Sequence, residues 1–272
     1  MAKRILSASV GIVILIAILL FNDTYPFVVN ASVAVICTLS VYEILGAMGI
    51  SDKYHIVTVS VLFSIAMPLY GLGFTWLLLW YVFTIFMFCF MIFKRQDFDI
   101  KSMATIYSMT CLVSISLSFI IFARDDFGVY GVIFMLVLPW MTDIGAFFVG
   151  KFFGKNKLCP NISPNKTIEG AFGGIVVSIL FMILFCLIWQ YTSIDQVVEV
   201  NYIFIIIMSF IGAVISIIGD LCFSLVKRGC HIKDFGNVMP GHGGILDRFD
   251  SVIFVAPFVY LFMKLFPVIN IS

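Results

Sequence analysis

Long apolar runs, each near the roughly 20 residues that cross a hydrocarbon core of about 30 Å, recur along almost the whole of this sequence. Nine can be marked out, at about 5–21, 27–50, 55–70, 74–93, 103–122, 129–149, 171–190, 202–226 and 250–267. Lipid offers no partner to a backbone N–H or C=O, so runs of this kind must be helices that close their own hydrogen bonds. Of the 272 residues, 62% are hydrophobic and 11% charged, against about 45–50% and about 25% in soluble domains. The expected fold is therefore all-α, a polytopic membrane protein with about nine transmembrane helices. Met1 to Arg4 followed by apolar Ile5 to Phe21 resembles a secretion signal, but no small-x-small cleavage pattern follows, so it is read as an uncleaved first helix.

Nine spans put the two termini on opposite sides, and the cations say which is which. Fourteen of the sixteen Lys and Arg residues fall on the N-terminal side: Lys3, Arg4, Lys53, Lys94, Arg95, Lys101, Lys151, Lys155, Lys157, Lys166, Lys227, Arg228, Lys233 and Arg248. Only Arg124 and Lys264 fall on the other, where the connectors 22–26, 71–73, 123–128, 191–201 and 268–272 carry Asp23, Asp125, Asp126, Asp195 and Glu199. The N-terminus is thus expected in the cytosol and the C-terminus outside. A net charge of +1 argues against a nucleic-acid partner. Seven cysteines without a CxxC pair, mostly inside apolar runs, support neither a disulfide framework nor a zinc site.

Three carboxylates lie inside predicted spans: Glu43, Asp143 and Asp220. Each costs about 2.5–3.5 kcal/mol at a helix centre, and each sits some seven residues, roughly 10 Å at 1.5 Å per residue, from the cytosolic end of its run. One shared polar chamber facing the cytosol would explain the common depth; separate hydrogen bonds to neighbouring helices would also satisfy them. On the eighth run Ser209, Gly212, Ala213, Ser216, Gly219 and Asp220 recur at three- and four-residue spacing, and Ser224 and Lys227 continue the face. Small residues in this pattern normally pack helices closely, but here the stripe ends in a carboxylate, a hydroxyl and an ammonium.

The two longest breaks, 150–170 and 227–249, are both on the cytosolic side and hold most of the chemically capable residues. In the first, Ser163-Pro164 reads as an N-cap and N1 pair. The seventh helix is therefore predicted to start there, with Lys166 and Thr167 making its N-terminus a phosphate cradle. The second runs from Ser224 through Lys227, Arg228, Lys233 and Asp234 to a Gly/Pro turn around His242, then Asp247, Arg248 and Asp250. Carboxylates there are the hard oxygen ligands that Mg²⁺ accepts together with substrate phosphates, and the nearby Lys and Arg can clamp a polyphosphate. These are the parts of a phosphoryl-transfer site. Residues 1–128 would then supply five supporting spans, and 129–272 the catalytic region.

The string Ser224, Lys227-Arg228, Lys233-Asp234, Gly236, Pro240, His242-Gly243-Gly244, Asp247-Arg248, Asp250 resembles the signature of the phosphatidate cytidylyltransferases (CDP-diacylglycerol synthases) at every spacing. Upstream, Asp143-x-x-Ala146 with Gly150 and Gly154, and Ser163-Pro164-x-Lys166-Thr167-x-Glu169-Gly170, are similar to further segments of that family. Met239 stands where the pattern usually has Leu, Ile or Phe, and Phe147 where Tyr is common. The likeness covers about 140–255; the first five spans agree in hydropathy alone.

The resemblance implies an enzyme of phospholipid biosynthesis in a bacterial cell (inner) membrane, a nucleotidyltransferase joining CTP to phosphatidic acid to give CDP-diacylglycerol and pyrophosphate. It implies Mg²⁺, with room for a second cation, and a chain that can form a homodimer. Asp220 and Asp247 would be the first metal ligands, supported by Asp143 and Asp250. Lys227, Arg228, Lys233 and Arg248 would hold the triphosphate and leaving pyrophosphate; Ser163, Lys166 and Thr167 would hold the lipid phosphate or CTP, with Ser224 beside them. His242 would orient a phosphate or fix the glycine turn. Two rival readings are a CTP-dependent lipid kinase of the polyprenol or phytol type and, from another class, an ion-coupled transporter.

Overall fold

The computed structural model describes residues 2–22, 25, 27–70, 74–93, 99–192, 198–238 and 243–271. Lys94, Arg95, Asp23, Asp195, Met239, Pro240, Gly241 and His242 lie outside the described residues. The elements, in chain order, are α1 (Ala2–Leu20), α2 (Phe27–Ala47), α3 (Tyr54–Tyr70), α4 (Thr75–Phe93), α5 (Ile100–Phe153), β1 (Lys157–Cys159), β2 (Ser163–Thr167), α6 (Ile168–Thr192), β3 (Val198–Val200), α7 (Tyr202–Gly229), α8 (Leu246–Leu265) and β4 (Ile269–Ile271). Among the described residues the protein is all-α apart from two short antiparallel ribbons, β1 with β2 and β3 with β4. Among the described residues α2, α4, α5, α6 and α7 are long and apolar enough to cross a membrane. All seven cysteines are free thiols.

Besides the start of α8, at Leu246 rather than 250, two boundaries differ from those read off the sequence. Arg124–Phe127, taken as part of an outer connector, are helical, and α5 runs for 54 residues. At about 1.5 Å per residue that is more than twice the length of one crossing, and the helix is broken only at Gly128, whose φ of 69° and ψ of −160° leave helical geometry. The left-handed φ is open to glycine at little cost, so a six-residue connector shrinks to one residue. The second difference lies at Ser163-Pro164, which does not open a helix. Ser163–Thr167 is strand β2, paired with Lys157–Cys159, and the helix begins four residues later than expected. Pairing with β1 holds this stretch extended, and Thr167 becomes the cap: its Oγ1 accepts the Gly170 N–H at 3.1 Å.

The chain forms two compact units, residues 1–129 with 229–249, and residues 130–228 with 250–272. The loop 229–249 clusters with the first unit rather than with residues 130–228. Inside that unit Asn30, near the start of α2, donates from Nδ2 to the Pro68 carbonyl at the end of α3 (3.3 Å) and accepts from Arg124 Nη1 (2.7 Å). The opposite end of α2 carries Glu43, to which the 229–249 loop is hydrogen-bonded.

The second unit is held by glycine contacts. A Cβ at Gly174 would lie 2.6 Å from the Thr142 carbonyl oxygen, and one at Gly170 would lie 2.7 Å from that of Ala146. A Cβ at Gly145 would meet the Gly173 carbonyl oxygen at 3.0 Å. The second half of α5 and the start of α6 therefore touch backbone to backbone, as small residues permit in membranes. The small-residue stripe of α7 is buried at Ser209, Gly212, Ala213, Ser216 and Gly219; Gly212 faces Leu138 and Phe258, and Gly219 faces Phe254. At one end of the unit β3 and β4 join the start of α7 to the chain after α8; at the other, Arg228 Nε reaches the Ile162 carbonyl at 3.3 Å.

These contacts predict unequal costs for adding one methyl group. At Gly174 the obstacle is backbone, so Gly174→Ala should cost about 1–3 kcal/mol through overpacking. At Gly212 the nearest atoms are Leu138 side-chain carbons that can turn aside, so Gly212→Ala should cost less. Thermal unfolding in detergent checks the order, and equal shifts would contradict the backbone contact.

Candidate active site

In the second unit the polar end of α7 is arranged as its spacing suggests. Asp220 Oδ1 accepts the Ser224 hydroxyl at 3.3 Å, one turn on, and Asp220 Oδ2 forms an ion pair with the Lys166 ammonium from β2. Lys227, the next member of that face, has its Nζ 3.9 Å from Asp250 Oδ2 on α8. Asp250 is buried, and its Oδ1 accepts the Ser251 N–H at 2.8 Å. A carboxylate taken out of water is tolerable when paired and hydrogen-bonded, and both of these are. The structure thus joins two pairs that the sequence could not match: Lys166 with Asp220, and Lys227 with Asp250.

The β1–β2 ribbon and the start of α6 cap each other. Ile168 N–H donates to the Asn156 carbonyl at 2.9 Å, and Gly170 N–H to Thr167. In the first turn, Glu169 accepts from the Lys155 N–H at 3.1 Å, the Asn156 N–H at 3.2 Å and the Asn156 side-chain amide at 2.8 Å. The N–H groups at Ile168 and Gly170 thus have internal partners, and the helix start lies at Ile168 rather than at Ser163-Pro164. Ser163 itself lies on β2, partly buried, and the exposed Arg228 holds the turn between the strands through Ile162. Asp143 is exposed on α5, one residue past buried Thr142.

In the first unit two carboxylates gather described residues on either side of 239–242. Glu43, 6% exposed in α2, accepts the Ile245 N–H through Oε1 and the Leu246 N–H through Oε2, each at 2.9 Å. Asp247 Oδ2 accepts the Phe235 N–H and the Gly244 N–H, also at 2.9 Å. The glycines follow from these oxygens. A Cβ at Gly244 would lie 2.3 Å from Glu43 Oε2, one at Gly236 would lie 2.5 Å from Glu43 Oε1, and one at Gly243 would lie 2.9 Å from Asp247 Oδ2. Gly243 also has a φ of 87°, which disfavours any side chain. Lys233 and Arg248 are exposed on this loop and on the first turn of α8. His242 belongs to the undescribed stretch.

Glu43 is the residue whose part the sequence left open. Its depth in the span marked it as polar and costly, but its partners are some 200 residues away and no local pattern names them. Glu169 was visible only as a position in a motif; its contacts give it a capping role. Among the described residues no three His, Cys, Asp or Glu side chains gather into one cluster. The donors present nevertheless suit a hard cation. Mg²⁺ is commonly held by one or two carboxylates with substrate phosphates completing the shell, and Asp220 and Asp250, each here paired with a lysine ammonium, are hard oxygen donors of that kind.

Comparison with known proteins agrees with this inventory. The family model described as the cytidylyltransferase family matches residues 2–266. A phosphatidate cytidylyltransferase of Bacillus subtilis is 45% identical over 142 residues, which are 52% of this chain and 50% of that protein. Proteins of the same name from Staphylococcus haemolyticus and Staphylococcus epidermidis are 33% and 36% identical over 172 residues, 63% of each chain in both cases. The matches thus span between half and two thirds of the length of these curated relatives. With a family match over nearly its whole length, the chain belongs to the cytidylyltransferase family.

Proposed function

We propose that this protein transfers the cytidylyl group of CTP to phosphatidic acid, forming CDP-diacylglycerol and releasing pyrophosphate. The observation that carries the reading is the ordered set of acids and cations from Ser224 to Asp250, with Lys227 paired to Asp250 and Ser224 bonded to Asp220. The names borne by its relatives point the same way. The reaction is expected in a bacterial cell membrane, at the cytosolic leaflet, with the N-terminus in the cytosol.

A phosphate monoester has a second pKa near 6, so the lipid phosphate reaches the site largely as a dianion and needs no strong base. One of its oxygens attacks the α-phosphorus of CTP. A new P–O bond forms, the bond to the oxygen bridging to the β-phosphorus breaks, and its electron pair leaves on pyrophosphate. The protein's task is to orient the two anions and neutralise their charge. Lys227, Arg228, Lys233 and Arg248 hold the triphosphate and the leaving pyrophosphate. Lys166, with Ser163 and Thr167 beside it on β2, serves the lipid phosphate or CTP, and Ser224 steadies Asp220. Asp220 and Asp247, supported by Asp143 and Asp250, would hold Mg²⁺, which when bound supplies positive charge to the phosphoryl oxygens.

The direct test is product analysis with purified protein, CTP and phosphatidic acid: pyrophosphate and CDP-diacylglycerol are expected, whereas CDP would mark a lipid kinase. Asp220→Asn and Asp247→Asn should each abolish Mg²⁺-dependent product formation while the protein still inserts and folds; near wild-type activity in either would remove it from the metal-binding set. For orientation, single cysteines at Asn156 and Tyr191 in a cysteine-free background should react with an impermeant thiol reagent from the cytosolic and outer sides respectively. The reverse pattern would overturn the topology.

A further inference from the structure

We propose that Glu43 is a positioning residue for the reaction, acting from α2 by fixing the loop and helix start that carry Asp247 and Arg248. The proposal rests on the reading given under Proposed function and adds a residue from the N-terminal spans to it. Glu43 acts through backbone N–H groups. It binds the two backbone N–H groups, Ile245 and Leu246, that immediately precede Asp247.

Three observations make this more than a helix cap. First, both carboxylate oxygens are used, one per N–H, at 2.9 Å each. Such a fork holds residues 245 and 246 at two points, and its charge complements the helix N-terminus. Second, Gly236 and Gly244 leave open the space that the carboxylate fills, since a Cβ at either would lie within 2.5 Å of it. Third, the hold passes to the acid beside it. Asp247 Oδ2 is fastened to Gly244 and Phe235, so the glycine flanking the Glu43 carboxylate is also a donor to Asp247. Burying a carboxylate in a span is expensive, and an apolar residue there would keep α2 in the membrane more cheaply. What the acid adds is a fixed geometry for residues 244–248.

Glu43→Gln is the informative change because it keeps size and polarity. The amide has one acceptor oxygen, so one N–H must face an NH₂ group and the fork is broken. A displacement of about 1 Å at a reacting group can cost about 100-fold in rate. In full-length protein, kcat should therefore fall by about two orders of magnitude, with KM for CTP and phosphatidic acid changed by less than about threefold. The second readout is independent of turnover: limited trypsin digestion in detergent should cut after Lys233 and Arg248 faster in the variant than in wild type, at similar thermal midpoints. If Glu43→Gln fails to fold, Glu43→Asp, which keeps the charge but is one methylene shorter, is measured the same way.

Wild-type kcat with unchanged digestion would overturn the proposal. So would a lowered thermal midpoint with kcat unchanged, which is the mark of a purely structural cap. If wild-type protein makes no CDP-diacylglycerol yet the loop loosens in the variant, the reading of the reaction fails while the loop's dependence on Glu43 stands.

Discussion

A carboxylate carried into an apolar medium must bring its partners along, and the surroundings of Glu43 are organised by that requirement. Glu43 is 6% exposed in a membrane-spanning helix, where an unpaired carboxylate would be untenable. The N-terminus of α8 has N–H groups with no helical partner. Each solves the other's problem, and the 229–249 loop is drawn to α2 in consequence. Asp247 repeats the arrangement one residue on, gathering Phe235 and Gly244. Four backbone donors and two carboxylates thus shape the described residues around the start of α8.

The same accounting governs the other polar segment. The ribbon of β1 and β2 and the first turn of α6 exchange hydrogen bonds through Asn156, Thr167 and Glu169, which leaves Lys166 to meet Asp220. Beneath it, glycines bring α5 and α6 to backbone contact. Dispersion between closely packed backbones does there what the hydrophobic effect cannot do in lipid. Glycine therefore serves two purposes in this chain. In Gly145, Gly170 and Gly174 it admits a neighbouring helix; in Gly236 and Gly244 it admits a carboxylate.

Much of this was readable in advance because its causes are local or periodic. Apolar length fixes α2, α4, α6 and α7, and the three- and four-residue spacing on α7 correctly grouped Asp220 with Ser224. The start of α6 misled because Ser163-Pro164 is a good cap considered alone, while pairing with Lys157–Cys159 is not visible in the segment itself. The connector before Gly128 misled for a similar reason. Its acids suggested exposed coil, yet charged residues at the end of a span are compatible with helix, and one glycine suffices to break it.

The sequence by itself therefore determined that the chain is a helical membrane protein, which residues are acids and cations in its polar loops, and, through their spacing, the chemistry they resemble. Hydropathy and motif order are properties of neighbours along the chain. Only the tertiary structure decided the partners: Glu43 with Ile245 and Leu246, Lys166 with Asp220, Lys227 with Asp250. Those choices are made between residues tens to hundreds of positions apart, where the cost of a bare charge selects whichever donor the fold brings within reach.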